Sequence, residues 1–166
     1  MGHADVLVVG GGIVGLAIAT ELRRQGATVT VLSRDFNAAA GHAAAGMLAP
    51  RAEGLTGSLL ELSQRSLALY PEWSRKLEEL TGQETGYWPC GILVPSLSAS
   101  APKRLSQTAI HSYQSHLSPE VTGGYWYPEE GQADNRALLK ALRLGAQELG
   151  VDIQEGVSAE AFIQNN

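Results

Sequence analysis

The sequence has little of what marks a secreted, membrane-spanning or nucleic-acid-binding protein. Cys90 is its single cysteine, which excludes an internal disulfide and favours a reducing, cytoplasmic setting. No basic run interleaved with aromatic side chains occurs, and a formal net charge of -5 argues against nucleic acid as a partner. No apolar run reaches the length of a membrane span. The 44% of hydrophobic residues is nevertheless enough to build a core.

Side chains for metal binding or serine catalysis are also poorly arranged. The four histidines show no metal-ligand spacing with the cysteine or with carboxylates: His3, His42, His111 and His116. We therefore predict no metal site. No nucleophile-elbow motif is found, so Ser-His-Asp catalysis is not indicated. Glu129 and Glu130 precede Gly131 and are expected to form a solvated turn.

The first 33 residues carry the clearest structural pattern. Residues 5–9 are mostly apolar and predict a buried strand, and residues 13–25 repeat apolar side chains at helical spacing. Gly26 occupies the position of a helix C-terminal glycine, and residues 28–32 form a second β-branched run. Strand, glycine turn, helix and strand in about 30 residues predict a βαβ unit.

The remaining pattern predicts a long helix, a mixed insertion and a closing helix. Residues 58–80 are expected to be helical, with Pro71 kinking or dividing the helix. Its apolar face is predicted from Leu59, Leu62, Leu69, Trp73, Leu77 and Leu80. Further predicted elements are strands at 87–94, 124–127, 151–154 and 157–163, a helix within 102–116, and a helix that Asp134 caps and that buries Leu138, Leu139, Leu142 and Leu149.

These elements predict an α/β protein with a Rossmann-like βαβ domain, interrupted by part of a second, α+β domain. We place the nucleotide-binding domain at 1–82 and the inserted part of a substrate domain at 83–130. The chain then returns to the first domain at 131–166, which we expect to be incomplete.

Three glycines supply the chemistry of a dinucleotide-binding turn. Gly10 permits the tight turn out of the strand, Gly12 lets the backbone approach a pyrophosphate, and Gly15 allows close helix–strand packing. The backbone N–H groups of Ile13 and Val14 then face the phosphates, aided by the helix dipole. The strand-turn-helix context makes this G-x-G-x-x-G a specific signal.

The end of the second predicted strand departs from the dinucleotide pattern. Ser33 stands where a carboxylate would bind the ribose hydroxyls. A serine hydroxyl can replace that hydrogen bond, although more weakly. Arg34 could neutralise a 2′-phosphate, so NADP remains an alternative ligand. Asp35 could instead reach back to the ribose. Both residues could equally form a solvated turn.

Three longer segments carry a family resemblance. GGGIVGLAIATELRRQGATVTVL at 10–32, HAAAGMLAPRAE at 42–53 and GYWYPEEGQADNRALLKAL at 124–142 resemble the N-terminal part of the glycine oxidases, in the D-amino acid oxidase group. The resemblance implies a flavoenzyme that binds FAD and oxidises glycine or a similar small amino acid to its imine in thiamine biosynthesis.

The resemblance also implies roles for individual positions. Ser33 and Arg34 match the ribose position, where the family often has Glu, and Ala159 matches a main-chain contact to the adenine. Small residues would let the backbone lie against a flat ring. The other implied FAD contacts are Ile13 and Val14 at the pyrophosphate, Ala40 and Gly41 at a second phosphate-side contact, and Ala45, Gly46 and Met47 along the flavin.

Catalytic groups are expected to lie outside these 166 residues. In the resembled family the substrate-binding arginine and a nearby tyrosine come from the C-terminal half, so we predict no catalytic residue here and expect the isolated chain to be inactive. Arg136 is assigned to the first turn of the last helix rather than to substrate. A related D-amino acid or sarcosine-type enzyme, a non-catalytic nucleotide-binding fragment and a homo-oligomer are alternatives left open.

Overall fold

The structure is a computed structural model that describes residues 3–98 and 105–163. Backbone contacts divide the chain into two compact units. Unit 1 comprises Met1–Gly46, Pro71–Tyr87 and Ala133–Asn166, and unit 2 comprises Met47–Tyr70 and Trp88–Gln132. Each unit is therefore assembled from segments that are distant in sequence.

Unit 1 contains a three-stranded parallel sheet and the helices that cover it. Its strands are β1 (Val6–Val9), β2 (Val29–Ser33) and β8 (Asp152–Glu155), in the order β1-β2-β8. Val6 pairs with Val29, and Thr30 pairs with Asp152. Helix α1 (Ile13–Arg24) connects β1 to β2, which confirms the predicted βαβ unit.

The core of unit 1 lies between α1 and α4 (Asn135–Glu148). Asp134 caps α4 as predicted, because its Oδ1 accepts hydrogen bonds from the N–H groups of Arg136 and Ala137 at 2.9 and 3.0 Å. Arg23 Nε donates to the Leu149 carbonyl at 2.8 Å and ties the ends of the two helices together. The side chains buried from the two helices include Leu16, Ala19, Leu138, Leu142 and Ala146.

Unit 2 contains a three-stranded antiparallel sheet, a second small sheet and a short helix. The larger sheet has the order β4-β6-β5, from β4 (Ile92–Ser96), β6 (Gly123–Tyr127) and β5 (Leu105–Ser106). Helix α3 (Gln107–Tyr113) packs on β6, with Ile110 fully buried. The small sheet pairs β3 (Met47–Leu48) with β7 (Gly131–Gln132).

Helix α2 (Gly57–Thr81) is continuous, so Pro71 does not divide it. The boundary between the two units falls between Tyr70 and Pro71, within this helix. Residues 47–70 thus belong with 88–132, whereas the sequence grouped them with the first domain. The pairing of β3 with β7 is the physical reason, because no local pattern reveals a two-residue partner more than 80 residues away.

One predicted strand and part of one predicted buried face are wrong. Residues 157–163 form no strand, because the chain leaves the sheet after Val157 N–H donates to the Ser33 carbonyl at 3.3 Å, and Phe162 is 84% exposed. Strand-forming side chains need a neighbouring strand to pack on. The predicted face of α2 is only partly buried, since three of its leucines are more than half exposed: Leu59, Leu62 and Leu69. The predicted helix within 102–116 is α3, and residues 99–104 lie outside the described part.

Candidate functional site

The glycine turn, residues 10–15, connects β1 to α1. Gly10 has φ +113°, a backbone conformation that L-residues rarely adopt, and its N–H donates to the Leu32 carbonyl at 2.8 Å. A Cβ at Gly15 would overlap the carbonyl oxygen of Gly10 and lie 3.3 Å from Val8 Cγ1. The helix therefore starts directly against its own strand, and only glycine fits at this position.

Gly12 differs from its neighbours because the space in front of it is open. A Cβ there would meet only the Ala39 side chain, at 4.0 Å. Among the described residues, no side chain caps the N-terminus of α1, so the first N–H groups of the helix remain available to an anion. An uncapped helix end beside open space fits a pyrophosphate, which neither a carboxylate cap nor a bulky residue would permit.

The turn after β2 packs against the glycine turn. Ser33 is buried, and its Oγ lies 2.8 Å from where a Cβ on Gly11 would stand. Phe36, also buried, would overlap the same Cβ, and the Arg143 guanidinium carbon lies 4.2 Å from the centre of its ring. The structure thus brings Ser33 to the glycine turn. Phe36, which the sequence analysis missed, holds the two turns together.

Arg34 and Asp35 are both exposed. Asp35 Oδ1 accepts a hydrogen bond from the Asn37 N–H at 2.8 Å, so this carboxylate stabilises its own turn. The geometry supports the solvated-turn reading for these two positions. Ser33 is the residue of this turn whose side-chain hydroxyl is packed against the glycine turn.

Residues 40–46 are brought to the glycine turn and to the start of α4. A Cβ on Gly41 would lie 2.8 Å from Leu139 Cδ1 and 3.1 Å from Ile13 Cδ1. Gly46 has φ +80°, and a Cβ there would overlap the Ala133 carbonyl. The Ala133 N–H in turn donates to the Gly46 carbonyl at 2.9 Å.

Asn135 adds a second attachment for this segment. Its Nδ2 donates to the Ala44 carbonyl at 2.8 Å, across 91 residues of sequence. Ala40 and Ala45 are exposed, so the segment is held by its glycines and by these backbone contacts. Asn135 was not identified from sequence, because an asparagine at the start of a helix gives no sign of a distant carbonyl partner.

Met47 begins unit 2 and lines a cavity of about 340 Å³ within that unit. The side chain is 50% exposed, which suits contact with a ligand better than a buried core position. Tyr70 also lines the cavity, and burial raises the pKa of its hydroxyl, which therefore stays protonated at neutral pH. Among the described residues that line the cavity, Glu53 is the only charged side chain.

Glu130 corrects the expectation of a solvated Glu129-Glu130 turn. Only Glu129 is exposed, whereas Glu130 is 2% exposed and accepts two backbone hydrogen bonds. Ala159 is exposed and lies outside any regular element.

Comparison with known proteins decides the family. The chain matches the protein family described as DAO, FAD dependent oxidoreductase, over residues 5–166. The chain belongs to this family. Its α/β fold is that of a family of FAD-dependent oxidoreductases. In the described part of this DAO-family chain, no helix is long and apolar enough to cross a membrane.

The relatives include bifunctional ThiO/ThiG proteins and glycine oxidases. The chain is 49% identical to the bifunctional protein ThiO/ThiG of Nostoc sp., covering 96% of this chain and 27% of that protein. It is 37% identical to the glycine oxidase of Geobacillus kaustophilus, covering 91% and 45%. The crystal structure of glycine oxidase from Bacillus cereus superimposes with a TM-score of 0.87 at 26% identity, covering 99% and 49%. The chain thus spans about a quarter to a half of these relatives.

Proposed function

We propose that unit 1 holds the ADP part of FAD at the glycine turn. The N–H groups of Ile13 and Val14, at the uncapped start of α1, bind the pyrophosphate in the open space before Gly12. The Ser33 hydroxyl binds the ribose, and residues 40–41, where Gly41 packs beside Ile13, make a second phosphate-side contact. Arg34, whose side chain is exposed, stands at the ribose beside Ser33, and Ala159 meets the adenine through its main chain.

Residues 45–47 lie along the flavin in this proposal. Gly46 and the small side chains before it present backbone without bulk, and Met47 presents a polarizable apolar surface. Bound at this site, FAD would supply the electron acceptor for oxidation of the substrate Cα. The protein's own contribution is to place the substrate beside the ring and to exclude water from it.

The protein to which this chain belongs is then an amino-acid oxidase, and we assign glycine as its substrate. The reaction converts glycine, O₂ and water to glyoxylate, ammonia and H₂O₂ by way of the imine. The observation that carries this assignment is the superposition of 99% of the chain on a solved glycine oxidase, supported by 49% identity to a ThiO/ThiG protein. We infer from the same relationship that this oxidase takes part in thiamine synthesis in the cytoplasm.

Unit 1 corresponds in this scheme to the FAD-binding domain and unit 2 to part of the substrate domain. The cavity beside Met47 lies wholly within unit 2, which supports that division. No carboxylate-binding arginine is assigned here. Arg51 is directed to Glu129, 3.8 Å away, and Arg136 lies exposed in the first turn of α4.

The cofactor assignment is tested by titrating FAD against the purified chain and following flavin fluorescence. Saturable one-to-one binding is expected. An absence of saturable binding, both here and in the protein expressed from its own gene, would instead make this a non-catalytic fold.

The substrate assignment is tested in the protein expressed from its own gene, with peroxide as the readout under air. Glycine is expected to exceed sarcosine and D-alanine in kcat/KM. A preference for sarcosine, or reduction of a quinone without peroxide, would replace glycine oxidase with a related oxidase or dehydrogenase.

A further inference from the structure

The buried carboxylate of Glu130 is attached to a turn 79 residues away in sequence. Its Oε1 accepts a hydrogen bond from the Arg51 N–H at 2.6 Å, and its Oε2 accepts one from the Ala52 N–H at 3.2 Å. Burial of a carboxylate is costly unless hydrogen bonds replace its water. Each oxygen of Glu130 therefore has a defined backbone partner.

Electrostatic pairing does not explain this arrangement. The Arg51 guanidinium lies 3.8 Å from the exposed carboxylate of Glu129, not beside Glu130. Among the described residues, no ion pair includes Glu130. The Glu130 carboxylate therefore binds the backbone of the turn. The exposed carboxylate of Glu129 next to it provides a control for the effect of removing one negative charge.

The turn at residues 49–55 resembles one turn of helix whose first N–H groups lack internal partners. Glu53 N–H donates to the Ala49 carbonyl at 2.9 Å, and Leu55 N–H donates to the Pro50 carbonyl at 3.0 Å. The N–H groups of Arg51 and Ala52 precede these bonds and have no carbonyl to reach within the turn. Glu130 supplies the missing acceptors, as a side-chain cap does at a helix N-terminus.

The same turn forms one wall of the cavity beside Met47. Ala49, Pro50, Glu53 and Leu55 line it from the turn, and α2 lines it on another side. Glu130 also directly precedes β7, which pairs with Met47 and Leu48. The side chain of Glu130 therefore anchors the turn, whereas the pairing with Met47 and Leu48 is made by the backbone of Gly131 and Gln132.

We propose that Glu130 is a positioning residue that fixes the 49–55 turn as a wall of the substrate cavity. This inference rests on the proposed function and adds to it that the cavity of unit 2 receives the amino acid. Glu130 touches neither ligand, and it acts through the turn. Its loss should therefore weaken substrate binding while leaving the FAD site of unit 1 unchanged.

The test compares Glu130→Gln with Glu129→Gln in the protein expressed from its own gene. The Glu130→Gln amide keeps the volume but turns one acceptor into a donor that faces a backbone N–H. Leaving a buried donor unsatisfied is expected to raise KM for glycine about ten-fold. The kcat, the FAD dissociation constant and the flavin absorption spectrum should stay within about two-fold of wild type, and Glu129→Gln should change none of them.

Two results would overturn the proposal. One is a wild-type KM in Glu130→Gln. The other is a rise in KM together with a fall in kcat and in FAD affinity, which would mark a merely structural role. If the variant does not fold, hydrogen exchange of the wild-type Arg51 and Ala52 amides decides, because protection supports the proposal and free-loop exchange refutes it. A wild-type protein without FAD or glycine oxidation would overturn the proposed function instead.

Discussion

The glycine turn and residues 44–46 both expose backbone with little side-chain bulk, but different contacts hold the two segments in place. The glycine turn is built from neighbours in sequence, since Gly15 packs on Gly10 and Val8. Residues 44–46 are held from about 90 residues away, through Ala133 and Asn135. In the proposed FAD site, the phosphate position is therefore specified by a local motif, whereas the segment proposed to lie along the flavin requires the rest of the domain to be folded.

This difference predicts two kinds of failure. A change inside the glycine turn should disrupt the turn itself, because its contacts are local. A change at the distant attachments should leave the βαβ unit intact and loosen only the segment that they hold. Matched variants can separate these outcomes in unit 1.

Gly15→Ala is expected to have the largest effect. Its Cβ would overlap the Gly10 carbonyl, and neither backbone can move without separating α1 from β1. We expect destabilisation at or above the roughly 3 kcal/mol upper end of ordinary overpacking, visible in thermal unfolding.

Gly12→Ala is the matched control for Gly15→Ala. Its Cβ meets only Ala39 at 4.0 Å, so the fold should survive while FAD affinity falls at least about ten-fold, the effect of roughly 1.4 kcal/mol. Undiminished FAD binding by a folded Gly12→Ala protein would contradict the pyrophosphate position.

Gly46→Ala is expected to have the next largest effect. Ala at φ +80° costs about 1–2 kcal/mol in backbone conformation, and its Cβ would also overlap the Ala133 carbonyl. Gly156 has the same φ with nothing within 4 Å of a Cβ, so Gly156→Ala isolates the conformational part. Urea unfolding should show a greater loss for Gly46→Ala, and equal losses would show that the Ala133 contact does not constrain the segment.

Asn135→Ala is expected to have a smaller effect and tests the side-chain attachment of residues 44–46. It removes the 2.8 Å hydrogen bond to the Ala44 carbonyl, which should cost about 1 kcal/mol and weaken FAD binding several-fold. Asn37→Ala is the control, because the hydrogen bond from Asn37 to Asp35 is made by its backbone N–H and survives the change. Equal FAD affinity in both variants would remove Asn135 from the support of the flavin segment.

The sequence predicted what short-range patterns can encode. The β1-α1-β2 unit, the Asp134 cap and three residues of the predicted α4 face depend on short spacings and are present, whereas the fourth, Leu149, follows the helix and is only partly buried. The family was also recognisable, because its motifs are contiguous. The exact contacts of the predicted FAD residues stay a prediction.

Phe36, Asn135 and Glu130 were not predictable in their supporting roles. Each makes its contact with a backbone segment that no local period connects to it, and in isolation Glu130 looks like an ordinary turn residue. The predicted strand at 157–163 failed for a related reason. Its side chains favour a strand, but the pairing partner that decides strand formation cannot be read from the segment itself.

Glu78→Gln is expected to have the smallest effect and concerns a contact of short sequence separation in unit 1. The Thr85 N–H and hydroxyl donate to Glu78 Oε1 at 2.8 and 2.7 Å, and these hydrogen bonds hold the pKa of the carboxyl below its ordinary value of 4.5. A carboxyl with a lowered pKa in the folded state stabilises the fold above its unfolded pKa, and this contribution is lost as pH falls through the folded value. Urea unfolding should therefore show Glu78→Gln less stable than wild type at pH 7 by less than about 1 kcal/mol, with the difference closing below pH 4.5.

Glu84→Gln, at an exposed position on the same loop, is the control. A difference that stays constant from pH 7 to pH 3 would show that Glu78 stabilises the loop through its shape and not through its charge.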